Sequence, residues 1–363
     1  RGSGKSHFFA ELVIERSIIE KTDVVCIREV QRTLNQSVKK LLEWKIEQLG
    51  VGQYFDVQDA VIKSKHGGLI IFQGMQNLPI LMGLHKGFFA KRGIALDVKL
   101  APNSDEMRNG LVESRYQLVH SGIDNSVHLV EHQKVDSVIF MGGDNAFNNL
   151  LVQPGISAYE DIRGKAVGVD ALDTAYAFQL YAMLKQKGLN KGDYIPRSIG
   201  SSARRLDAIK NDKTMVATML NPPFSFIAIR DAGWKDWGTA VRALGPYQGT
   251  GGYVLRSWAA ANSDLLVRYI QAYVEGLRYA LDPKNRDEAV KLLIDSIKLP
   301  PDIAGQAYAV EAHPVEGLAR DGRFDLEGFN TVLKLRAEWA GSPLAKPEKY
   351  YDLSYYQKAL AGL

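Results

Sequence analysis

The chain has 363 residues, of which 46% are hydrophobic and 24% charged, and at that length and composition wholesale disorder, a collagen-like repeat and a coiled coil are excluded. Its 45 basic side chains face 41 acidic ones, and a net charge of +4 leaves no electrostatic footprint for nucleic acid or an anionic membrane. The single cysteine, Cys26, excludes an internal disulfide and a cysteine-based metal cluster.

The chain opens on Arg1-Gly2-Ser3-Gly4-Lys5-Ser6, without an initiator Met, a basic n-region or an apolar h-region, so no secretory signal is expected. No apolar run reaches the roughly 18 residues of a membrane span. Gly2, Gly4, Lys5 and Ser6 form the back half of a phosphate-binding loop. In such a loop the glycines let backbone N–H groups approach the phosphates, the lysine reaches the β and γ oxygens, and the serine ligates Mg²⁺. Phe8, Phe9, Leu12, Val13 and Ile14 then recur at helical spacing, and residues 23–28 read as a strand. The loop's first glycine and the strand before it are missing, so ATP with Mg²⁺ is a cofactor only if this fragment functions, and hydrolysis is not expected.

These residues, with 23–31 and 36–42, resemble the ATPase domain of a phage large terminase over about residues 1–76. The resemblance implies ATP-driven DNA packaging, which also needs a downstream acidic strand end for Mg²⁺ and a nuclease carboxylate cluster. Neither follows in the sequence. Residues 1–68 therefore read as a truncated P-loop α/β fragment.

From residue 69 the pattern becomes strand, turn, helix, strand, repeated, which predicts an α/β architecture with parallel sheets. Residues 69–72 form the first strand. Pro79 suits a first helical turn, and Leu81, Leu84, Phe88 and Phe89 give an apolar face that stops at Lys91-Arg92-Gly93. Residues 94–100 make a second strand, Ser104 caps a helix with Asp105 and Glu106 in its first turn, and 116–120 make a third strand. A helix opens at Ser121-Gly122-Ile123-Asp124-Asn125, and the strand at 138–141 ends in Gly142-Gly143-Asp144. Helices follow at 265–281, 286–298 and 329–340, with breaks at Pro283, Pro300 and Pro301.

Asn77 to Leu81, Lys86-Gly87-Phe88-Phe89 through Gly93, the strand closing on Ser121-Gly122, Asp161 to Lys165 before a strand at 166–170, and Leu220-Asn221-Pro222-Pro223 are together similar to periplasmic substrate-binding proteins of ABC importers. The group is the alkanesulfonate, nitrate, taurine and thiamine-pyrimidine-precursor type, and the resemblance covers about residues 69–363. The strand at 69–72 fits both resemblances, so the chain reads as a fusion at residues 71–76. The second resemblance implies a type II periplasmic-binding-protein fold. Lobe one would comprise 69–150 and 248–363 and lobe two 151–247, with crossings near 150–152 and 245–253. It also implies a monomer that takes one small-molecule ligand and docks on a membrane permease, with no enzymatic activity and no nucleic acid. The family acts in the periplasm or at the cell surface, which conflicts with the missing signal. The alternative function is the terminase ATPase. A pyrimidine-synthesis enzyme on the same fold, consuming a pyridoxal cofactor, relies on a cysteine-rich iron motif that residues 69–363 lack.

In open α/β sheets ligands bind beyond the carboxyl ends of strands, where backbone N–H groups and helix N-termini converge. That rule selects Gln76 and Asn77, then Ser121, Gly122 and Asn125, then Gly143 and Asp144 in lobe one. In lobe two it selects Asp170, Asp173, Thr174, Ala175 and Tyr176, then Asn221 and Pro222, with Gly249 and Thr250 at the return crossing. Asp173-Thr174 suits a plain helix cap equally well, Ser121-Gly122 a capped turn, and Asn221-Pro222-Pro223 a rigid turn. Tyr176, Phe147, Trp237 and Tyr247 are candidates to stack on a planar ligand, although most are expected in the core. No arginine is placed in the cleft, so a sulfonate, a nitrate-like anion and a pyrimidine-type compound all stay open. His85, His120 and His128 lack metal-ligand spacing, Arg204-Arg205 reads as a solvated helix face, and no nucleophile with its base can be assembled, so no catalytic or metal residue is assigned.

Overall fold

The computed structural model describes residues 55–58, 61–64, 69–73, 78–101, 103–343 and 345–363, and the chain divides into two compact units, Arg1–Leu69 and Ile70–Leu363. In the first unit the described residues form an antiparallel hairpin of β1 (Phe55–Gln58) and β2 (Val61–Ser64). The nucleotide-loop residues Gly2, Gly4, Lys5 and Ser6 lie outside the described residues, as do Gln76 and Asn77.

The second unit is built on two five-stranded sheets. One has the order β4 (Leu96–Leu100), β3 (Leu69–Gln73), β5 (Leu118–Gly122), β12 (Thr250–Leu255), β6 (Ser137–Gly142). The other runs β11 (Lys235–Thr239), β7 (Asn149–Val152), β10 (Met215–Leu220), β8 (Ala166–Val169), β9 (Ile195–Ser198). Neither is purely parallel, contrary to the alternation in sequence: β12 is antiparallel to β5 and β6, and β7 is antiparallel to β10 and β11. The reason is where the chain crosses. It leaves β6 at that strand's carboxyl end through residues 143–148 and comes back through 245–249, so β7 and β12 both start at the edge where their neighbours finish. Residues 150–152, expected in the first crossing, are the last three residues of β7.

Helices cover both sheets: α1 (Leu78–His85), α2 (Phe88–Lys91), α3 (Ser104–Val112) and α4 (Asp124–Glu131) with the first, and α5 (Ala175–Gln186), α6 (Ser202–Asn211), α7 (Phe224–Ala232) and α8 (Ala240–Leu244) with the second. The return passage leads through β12 to α9 (Arg256–Ala261), α10 (Ser263–Leu281), α11 (Arg286–Ile297), α12 (Pro301–Glu311), α13 (Leu326–Ala340) and α14 (Ser354–Ala361). The expected cap Ser104 is instead the first residue of α3. Asn103 caps it, its side chain accepting from the Glu106 amide at 2.8 Å. Among the described residues no helix is long and apolar enough to cross a membrane.

Strands β6 and β10 are buried along their whole length, as expected of strands covered on both faces. Helix α10 buries Leu266, Tyr269, Ile270, Tyr273, Val274 and Leu277, spaced as one helical face. It crosses α1 so closely at Gly276 that a Cβ there would strike the carbonyl oxygen of Pro79 and come within 2.9 Å of the Gly83 nitrogen. Helix propensity favours alanine over glycine by about 1 kcal/mol, but the clash is with backbone and overpacking costs roughly 1–3 kcal/mol or more. Gly276→Ala is therefore expected to lower the melting temperature by several degrees, which a calorimetric scan would read, and an unchanged or raised value would refute the close crossing.

His120, on β5, is buried between aromatic rings, stacked on Tyr273 at 4.9 Å and edge-on to Phe140 at 5.9 Å. Its Nε2 has no hydrogen-bond partner among the described residues, and burial pushes its pKa down to about 3. The unfolded chain takes up this proton near pH 6.5 and the native one refuses it until about pH 3. Acidification across that window thus removes roughly 1.4 kcal/mol per pH unit of stability through this one group. Denaturant titrations at pH 7 and pH 5 should show that His120→Phe loses less stability on acidification than the wild type, and equal losses would be evidence against a neutral buried imidazole.

Candidate functional site

The carboxyl ends of β5 and β8 face one another across a cleft that encloses about 590 Å³, part of it open to solvent. On the first lobe's side β5 ends in Ser121 and Gly122, and α4 begins two residues later at Asp124. The Ser121 hydroxyl is 2.7 Å from that of Tyr253, and Asn125 donates to the Gly122 carbonyl and accepts from Arg108 Nη1 at 2.9 Å. Gly122 keeps the floor open, since a Cβ there would lie 2.9 Å from Asp124 Oδ1. On the second lobe's side the lining includes Asp170, Thr174, Ala175, Tyr176, Ser202 and Arg205. A smaller hollow of about 290 Å³, also partly open to solvent, shares Gly122, Ala175 and Tyr176 with the cleft and is lined further by Asp144, Phe147, Asn148, Gln179, Gly249 and Thr250.

Thr174 precedes α5 as its cap residue, yet its side chain does not cap the helix. Its hydroxyl donates to the Asp170 carboxylate instead. The first amide of α5, on Ala175, is satisfied from the opposite lobe, by Asp124 Oδ2 at 2.8 Å. A carboxylate at a helix N-terminus is favourable because the amides there carry partial positive charge. Asp124 is 1% exposed, and Oδ2 also receives Arg336 Nη1 at 3.0 Å. Oδ1 has no partner among the described residues. Burial raises the Asp124 carboxyl to about pH 6, outweighing the pull of Arg336, and neighbouring Asp170 pushes the same way. The native carboxyl thus takes its proton before the unfolded one does, so Asp124 adds stability as pH falls from about 6 toward 3.8, opposite in sign to His120. Burial also raises Asp170, while Arg205 and the Thr174 hydroxyl pull it back. Asp173 points away to His128 Nδ1 at 3.3 Å, whose hydrogen bond holds it down at about 2.

Arg205 lies over the Tyr176 ring at 4.9 Å. Its Nε donates to the Met219 carbonyl at 3.1 Å and Nη2 to the Ser202 hydroxyl at 3.0 Å. Asn221 stands behind this wall, its Oδ1 accepting from Ser202 at 2.7 Å and from the Tyr176 hydroxyl at 3.4 Å. Pro222 is not part of the lining; its carbonyl accepts from the Asn221 side chain.

In the smaller hollow Asp144 ties the two crossings together. Its Oδ1 accepts the Ala146 amide at 2.8 Å, its Oδ2 accepts the Thr250 hydroxyl at 2.5 Å, and its carbonyl accepts the Gly249 amide at 2.9 Å. A Cβ on Gly249 would strike the Asp144 carboxylate, so glycine is required where the passages touch.

The structure thus brings Ser121, Gly122, Asn125, Asp170, Thr174, Ala175 and Tyr176 to the cleft and Asp144, Gly249 and Thr250 to an adjoining hollow that shares Gly122, Ala175 and Tyr176 with it. Of the ring candidates Tyr176 lines both and Phe147 the hollow, whereas Tyr247 is core and Trp237 packs on Tyr159 at 4.4 Å. Sequence reasoning missed Asp124, Ser202 and Arg205 as lining residues. It also read Arg204 and Arg205 alike as a solvated face, but Arg205 is 1% exposed. The signal was available: Ser202, Arg205, Leu206 and Ile209 share the buried face of α6.

Residues 75–286 match the family model described as NMT1/THI5 like, and residues 1–88 match the one described as phage terminase large subunit. Among solved structures the chain is similar to the ligand-binding component of an ABC-type import system from Staphylococcus aureus with zinc bound, at 12% identity and TM-score 0.68, covering 80% of this chain and 98% of that one. It is similar to the periplasmic nitrate-binding protein NrtA from Synechocystis, at 13% identity and TM-score 0.67 over 82% of this chain and 88% of that one. The alkanesulfonate-binding protein SsuA from Xanthomonas axonopodis pv. citri, bound to MOPS, gives 16% identity and TM-score 0.63 over 76% and 91%. No curated protein matches the sequence. The fold is that of type II periplasmic binding proteins. The longer family match spans more than half of the chain, and the protein belongs to the NMT1/THI5-like family. The terminase match runs past the expected residue 76 to residue 88, where α1 already packs against α10 of the second unit.

Proposed function

We propose that residues 70–363 are the solute-binding component of an ABC importer. They capture one small organic ligand between two lobes, act as a non-enzymatic monomer outside the cytoplasmic membrane, and present the closed form to a membrane permease. The observation that carries this reading is the cleft at the carboxyl edges of both sheets, walled by polar side chains of both lobes and adjoined by a hollow at both crossings. A ligand touching both walls has higher affinity for the closed form and shifts the population toward it.

The same geometry separates the ligand classes. An oxyanion would seek the N-terminus of α5, but Asp124 already takes the Ala175 amide there, with Asp170 close enough to disfavour further negative charge. Asp124 Oδ1 is an acceptor without a donor among the described residues, and Tyr176 offers a ring face steadied by Arg205. A flat compound with N–H donors, such as an aminopyrimidine, fits these walls better than the nitrate and alkanesulfonate named for two of the structural neighbours.

Thermal-shift assays with aminopyrimidines, taurine, MOPS and nitrate test both parts. Ligand at a hundred times its Kd stabilises by about 2.7 kcal/mol, on the order of 3–8 °C for a unit of this size. An aminopyrimidine is expected to give such a shift. A shift with the sulfonates or nitrate alone would reject the ligand class but keep the binding role. No shift with any probe, together with no co-purified small molecule by mass spectrometry, would reject the binding role itself.

A further inference from the structure

Arg336, on α13, is completely buried. Nη1 donates to Asp124 Oδ2 in the first lobe at 3.0 Å and to the Asp173 carbonyl in the second at 3.1 Å. Nη2 lies 3.3 Å from His128 Nδ1 on α4, and the guanidinium plane faces the Phe178 ring on α5 at 5.3 Å. Asp124 Oδ2 in turn accepts the Ala175 amide. One buried ion pair therefore collects the start of α4, the turn into α5 and a helix from the C-terminal stretch.

We infer that Arg336 is a positioning residue that sets how firmly the two lobes stay closed, by clamping Asp124 of one lobe to the 173–175 turn of the other. The lobes cannot separate while both the Asp124 and the Asp173 bonds persist. The other ion pairs between the second lobe and the C-terminal stretch, Lys185 with Glu338, Arg230 with Asp302 and Arg242 with Glu316, all include well-exposed side chains and hold little against solvent. The apolar contact of Phe226 and Ile227 with the cluster around Leu293 and Ile303 is not directional. The Arg336 contacts are buried and geometrically strict, the type of network that specifies one arrangement of neighbours. The inference rests on the two-lobe reading above, but its readouts need no ligand, so a failed ligand screen leaves it standing and a failed clamp leaves solute binding standing.

The test uses the full chain and three variants. Arg336→Met strands a buried carboxylate and risks unfolding, so the double variant Asp124→Asn with Arg336→Met removes both charges, and Arg336→Lys keeps the charge without the fork. The double variant is expected to melt cooperatively and to exchange the amides at the start of α5 at least ten-fold faster than wild type, with protection in α10 unchanged. Its radius of gyration by small-angle scattering should be larger, and Arg336→Lys should fall between the two. Wild-type protection and size in a folded double variant would overturn the clamp. So would loss of cooperative folding in all three variants, which would make the pair a support of the fold rather than of lobe closure.

Discussion

The chain passes between its two sheets through residues 143–148 and 245–249, and both passages lie at the edge where β5 and β6 finish and β12 begins. Nearly every feature of the site descends from that constraint. A strand that begins at this edge must run back through its sheet, so β7 and β12 are antiparallel to the strands beside them. Each sheet also turns its carboxyl end, with the helix N-termini that follow, toward the other. The passages themselves are narrow: the Asp144 carbonyl takes the Gly249 amide, and a side chain on Gly249 would collide with the Asp144 carboxylate. The hollow beside the cleft is thus framed by the same residues that join the lobes.

Between the lobes, desolvation and charge pairing compete, and the outcome differs from residue to residue. At Asp124 burial is the stronger, so the carboxyl is raised despite its bond to Arg336 and the amide of Ala175. At half-exposed Asp173 the hydrogen bond to His128 is the stronger, and the carboxyl is held down. Two aspartates on opposite sides of the lobe boundary therefore have opposite electrostatic character, and of the two only Asp124, the raised one, lines the cleft. The cleft thus carries its own buried carboxylate against the start of α5, with Oδ1 left without a donor among the described residues.

Much of the architecture is legible in local pattern. The apolar run 215–220 is β10 residue for residue, and Pro301 opens α12 as a first-turn proline should. The strand-end rule led to Ser121, Gly122 and Asn125 on one wall and to Asp170, Thr174, Ala175 and Tyr176 on the other, because it depends on chain direction alone. It could not separate cleft from backing: Asn221 braces Ser202 and Tyr176 from behind, and Pro222 is not in the lining. Arg205 was obscured because a basic pair on a helix usually faces water, and only the phase of α6 distinguishes the buried member from the exposed one.

What the sequence determined by itself was the succession of strands and helices, the turn chemistry between them and the strand ends available to a ligand, since each rests on residues close together in the chain. Tertiary structure alone decided which groups meet. Asp124 satisfies Ala175 across 51 positions, and Arg336 reaches Asp124 across 212. Burial and partnership at such separations are properties of packing, and no local pattern of side chains encodes which carboxylate will face which amide once two lobes close.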